Sequence, residues 1–166
     1  WFARLCIYAS PGGLDRALVH VEDLSIRPTL PPPVIGAVSA TVRAALNGNA
    51  ADRKGAIDKI MASVAVTPAA FVTGMMLLHI LKADDENFAI ADAYFLEQGP
   101  ILAAMRWRPG QTIVHDQRRR KTNMLFVPAA NPIQQDPRFA PLMEAMGLAD
   151  YWRQRRVVPD HLNAAG

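Results

Sequence analysis

Four histidines, His20, His79, His115 and His161, are the first candidates for metal or acid–base chemistry. They lie far apart, and none falls in an HxxxH or CxxC pattern, the spacings that bring two ligands onto one helix face or one turn. His79, within Met75-Met76-Leu77-Leu78-His79, could serve as a catalytic base in an apolar wall, but it reads first as a core or groove histidine with its nitrogens satisfied. Asp84-Asp85-Glu86 lacks the alternating oxygen ligands and the glycine of a calcium loop. It reads instead as a helix N-cap with acids in the first turn, where the helix dipole favours them. Ser10-Pro11-Gly12-Gly13 and Asn47-Gly48-Asn49 are turns, not phosphate cradles, because no Lys-Ser/Thr follows them. There is no GxSxG elbow and no evident pair of catalytic carboxylates. Cys6, the single cysteine, reads as a small buried hydrophobe. No catalytic, cofactor-binding or metal-ligating residue is assigned, and the chain is not expected to be an enzyme.

Charge points the same way. The net charge is +3, much of it from Arg118-Arg119-Arg120-Lys121 and from Arg153 with Arg155-Arg156. Two local clusters do not make a nucleic-acid stripe, so nucleic acid is not expected as a partner; the first cluster reads as a solvated helix face, with contact to nucleic acid or an acidic partner as its alternative. A length of 166 residues fits one domain with a core of its own, and 51% apolar with 20% charged residues exclude wholesale disorder. Seven methionines and many alanines suit uneven helix-on-helix packing. A single cysteine excludes an internal disulfide and fits a reducing, cytoplasmic location. No apolar run reaches the roughly 18 residues of a membrane span, and no signal peptide is evident. The chain opens on Trp1 rather than Met, and is expected to be a piece of a longer protein.

The elements that must position these residues are set off by proline and glycine. Trp1–Ala9 and Leu14–Leu24 read as a first helix pair, ended by Pro28 and Pro31-Pro32-Pro33. Val34–Leu46 carries an apolar stripe and stops at Asn47-Gly48-Asn49; Asp52–Val64 follows with Ala56, Ile57, Ile60, Met61 and Val64 on one face. Thr67-Pro68 reads as an N-cap and first helical position for a helix ending at Leu81 that is apolar nearly all round, and so central. Glu86–Gln98 completes that pair before Gly99-Pro100. Pro32–Ala65 and Val66–Gly99 are thus consecutive units of 34 residues, each a helix, a polar turn, a helix and a proline-marked break. That is the tetratricopeptide period.

The spacing predicts an all-α fold of stacked antiparallel helix pairs, a tetratricopeptide-like α-α superhelix; another array of helical hairpins and a compact irregular bundle are the alternatives. Small residues at Ala44, Ala56, Gly74 and Ala89 suit the helix contacts, although the Trp, Gly and Tyr of the repeat consensus are missing. Beyond Gly99, Ile101–Trp107 and Thr112–Phe126 read as helices and Arg138–Met146 as a short amphipathic one closed by Gly147. The domain is placed at 1–148, including a terminal cap helix, with 149–166 a C-terminal tail.

Within that last segment, Pro132-Ile133-Gln134-Gln135-Asp136-Pro137-Arg138-Phe139, Leu142-Met143, Met146-Gly147-Leu148, Asp150-Tyr151-Trp152-Arg153 and Pro159-Asp160 resemble the closing segment of bacterial regulatory proteins built from tetratricopeptide repeats. The family carries a DPRF at the start of its last short helix, a GL at its end, then a YWR and a PD. The resemblance covers about the last quarter of the chain and is partial, with Val157-Val158 and His161 departing from it. It implies repeats placed behind a winged-helix DNA-binding domain or a nucleotide cyclase domain. Physically, such an ending covers the apolar face that a last repeat would expose. Asp136 can cap the helix, Pro137 suits its first position, and Phe139, Leu142, Met143 and Met146 dock it. These residues are assigned to stability alone. The function expected is a protein-interaction or regulatory module that holds a protein partner or a neighbouring domain. The alternative is a small-molecule sensor with an apolar pocket along Phe71–Leu81.

Overall fold

A computed structural model describes residues 1–9, 12–66, 70–102, 122–127 and 130–159, and among them all regular structure is helical. Helices α1 (Phe2–Tyr8) and α2 (Leu14–Glu22) lead into α3 (Pro32–Asn47) and α4 (Ala50–Val66). α5 (Ala70–Leu81) and α6 (Asp84–Ala91) follow, and α6 runs on as a π-helical segment, Asp92–Leu96. Thr67 and Pro68, proposed as the cap of α5, lie outside the described residues, as does the basic cluster Arg118–Lys121 with most of the helix expected around it.

The boundaries have local causes. α3 begins two residues before the expected Val34, because Pro32 and Pro33 occupy its first turn, where a missing N–H costs nothing. Gly48, at φ 68°, closes α3 in the left-handed region, its N–H reaching the Ala44 carbonyl at 3.0 Å. Asn49 then starts α4: its side-chain oxygen accepts from the Asp52 N–H at 2.7 Å, while its amide donates to the Asp52 carboxylate at 2.7 Å. Arg53 Nε and Nη2 donate to the carbonyls of Leu81 and Lys82, each at 2.9 Å, so the start of α4 holds the end of α5. A cation at those carbonyls also opposes the dipole at the C-terminus of α5.

α2 packs on α3, α3 on both α4 and α5, and α5 on α6. Phe71, Met75, Leu77 and Leu78 of α5 are all but fully buried, as an all-apolar helix between neighbours must be. Gly74 permits the approach of α4: a Cβ built there would lie 2.9 Å from Val64 Cγ2 and 3.4 Å from Ile60 and Ile90 methyl carbons. Ala44 and Ala56 are buried too, whereas Ala89 is only half-buried. Buried hydroxyls are answered within their own helices, Thr41 Oγ1 donating to the Ala37 carbonyl at 2.8 Å and Ser63 Oγ to that of Ile60 at 2.7 Å.

The C-terminal part departs from expectation in three places. Asn123–Leu125, expected inside a long helix, is a single 3-10 turn packed on α5. After α7 (Asn131–Gln134), helix α8 (Phe139–Ala145) starts later than Asp136-Pro137 would place it, with Arg138 at its N-cap. Asp136 does accept a backbone bond, from the Arg138 N–H at 2.8 Å, but in the turn before the helix, which the Phe139 N–H closes onto the Asp136 carbonyl at 2.9 Å. Finally, the segment expected to be a tail from 149 opens as α9 (Leu148–Arg155), which packs against α8. Gly147, at φ 74°, turns the chain between the two helices.

Candidate functional site

The two described histidines, His20 and His79, each place a ring nitrogen against a main-chain carbonyl. His20 Nε2 lies 3.1 Å from the Trp1 carbonyl, with its ring stacked on Trp1 at 5.2 Å and edge-on to Tyr8 at 5.5 Å, so it joins α1 to α2. His79 is 5% exposed. Its Nε2 lies 3.0 Å from the Met124 carbonyl and its Nδ1 2.9 Å from the Asn87 amide nitrogen. The carbonyl can only accept, so the proton sits on Nε2; Nδ1 must then accept from Asn87. Burial holds this imidazole neutral, its pKa pushed down to about 4. His115 and His161 lie outside the described residues. Among the described residues no group of three or more His, Cys, Asp or Glu side chains is placed to hold a metal ion. Desolvation pushes the Cys6 thiol up to about 11, which keeps it protonated and poorly nucleophilic at neutral pH.

Asp84, Asp85 and Glu86 all fall in the first turn of α6, as expected of the acids, but none of them is its N-cap: Ala83 stands there and no side chain caps the helix. Burial, and next the nearby Asp136 carboxylate, raise the Asp84 pKa. Arg138 spans this corner, donating to Asp85 Oδ1 at 2.8 Å and to both Asp136 oxygens at 2.9 and 2.7 Å, with its guanidinium carbon 4.3 Å from the Phe88 ring centre. The hydrogen bonds from Arg138 hold Asp136 down at a pKa of about 2. Arg138 thereby pins the turn before α8 onto α6.

An open volume lies on the other side of that turn. A groove of about 640 Å³ runs between α8, α9 and the strand of chain after α9, with Phe139, Met143, Trp152, Val157 and Val158 among its walls. The cap residues Phe139 and Met143, expected to serve packing alone, are 2% exposed and form part of its floor. Phe126 meets both Phe139 and Trp152 edge-on, at 6.3 and 6.1 Å, which fixes the two rings from behind. Three charged side chains of the wall are paired locally: Asp136 with Arg138, which it shares with Asp85, and Glu144 with Arg153, which also pairs with Asp150 and whose two terminal nitrogens meet the Glu144 oxygens at 2.8 and 3.0 Å. That pairing lowers the Glu144 pKa. Arg156, also in the wall, makes no salt bridge among the described residues. It stands just past α9 with φ 54°.

The expected apolar pocket along Phe71–Leu81 is not where this groove lies; the large side chains of α5 fill the core. The sequence reading missed α9 and the groove. The signal was there in Gly147 as a left-handed stop, Asp150 in a first turn, Arg153 and Arg155 in a last turn, and Leu148 with Trp152 one turn apart.

Apolar side chains are also exposed near the start of the chain. Ile7, Val19, Leu24 and Ile26 are exposed, three of them by more than 65%. No described helix is long and apolar enough to cross a membrane. No protein-family model, curated protein or solved structure matches the chain significantly.

Proposed function

We propose that this chain is a regulatory helical-repeat module, of the tetratricopeptide-like kind, that holds a protein partner or a neighbouring domain of a larger bacterial signalling or transcription-regulatory protein. The observation that carries the reading is the apolar exposure of the first pair, at Ile7, Val19, Leu24 and Ile26. Single exposed apolar residues are ordinary, but several at one end of a helical stack are what a further layer would cover. The successive packing of α2 on α3, α3 on α4 and α5, and α5 on α6 supports a stack of pairs, as does the 34-residue period. The closing-segment resemblance from Pro132 onward supports the bacterial regulatory setting.

The test is site-specific photocrosslinking in cells expressing the whole parent protein, with benzoylphenylalanine in place of Val19. The expected adduct joins Val19 to one defined polypeptide segment, in the parent or in a second protein. The pair Val19→Glu and Leu24→Glu should abolish association with that segment in purified form while leaving the thermal midpoint unchanged. An absence of any protein adduct at Val19, or association untouched by the two glutamates, would overturn the reading. A second reading, small-molecule sensing, is favoured by the groove beside α9, whose roughly 640 Å³ falls within the size range of small-molecule sites.

A further inference from the structure

We draw no further inference here: the strongest candidate, the groove between α8 and α9, is lined by charges that sum to zero, Asp136 and Glu144 against Arg153 and Arg156, over a floor of buried Phe139 and Met143, and nothing in the structure shows what covers it.

Discussion

Acidification from pH 7 to pH 4 should load a proton onto unfolded His79 well before the folded protein accepts one. In the unfolded chain this imidazole titrates at its ordinary 6.5, while in the folded chain burial lowers it to about 4. Between those values the unfolded state binds more protons, so stability rises with pH through the window and is lost as pH falls from 6.5 towards 4. The loss at pH 4 comes to about 3 kcal/mol, a sizeable share of the roughly 5–15 kcal/mol that holds an ordinary domain folded. The structural cause is specific. A protonated Nδ1 can no longer accept from the Asn87 amide nitrogen, which sits 2.9 Å away in a buried site, so that bond breaks or the amide turns its oxygen to the ring, and the charge is held away from water either way. His79→Gln is the control, because its amide can still donate to the Met124 carbonyl and accept from Asn87 but does not titrate. Urea unfolding at several pH values between 7 and 4 measures both proteins. The stability difference between them should shrink or change sign by about 3 kcal/mol on acidification, as only the parent carries the linked proton. Asp136, held at about 2, loses its contribution only below the ordinary carboxylate range and is common to both proteins. A difference that stays constant from pH 7 to pH 4 would refute the reasoning.

Other substitutions probe the packing. Gly74→Ala brings a Cβ to 2.9 Å from Val64 Cγ2, so it should destabilise by about 1–3 kcal/mol despite the better helix propensity of alanine, read by chemical denaturation. Phe139→Ala removes a ring that is 2% exposed, at a cost of roughly 3–5 kcal/mol; a drop in Tm of about 6–20 °C, with new binding of an apolar dye, is the expected result. An unmoved Tm would show that α8 does not cap the stack. Arg138→Ala breaks the contacts to Asp85 and Asp136, but the guanidinium is largely exposed, so the melting temperature should fall by much less than for Phe139→Ala. The same variant should let the Asp136 carboxyl titrate nearer its ordinary value, measurable by NMR.

Much of the helical order could be read from the chain alone, because proline and glycine act locally. Gly48 ends a helix wherever its φ of 68° is needed, and Pro32-Pro33 can sit in a first turn whatever lies nearby. Likewise, the apolar residues of α5 cannot face water on any side, so a central position follows from composition. Non-local geometry was beyond that reading. Which nitrogen of His79 carries the proton depends on Met124, 45 residues away. The π-helical run Asp92–Leu96 has no motif of its own; Tyr94 is buried there with its ring 6.1 Å from Phe71, a contact made between helices. Arg156 looked like one more cation in a basic tail. Its place in a groove wall exists only because α9 folds back on α8. Local propensity acts over a turn or two, whereas a site made from several segments is decided by how helices distant in sequence come to pack.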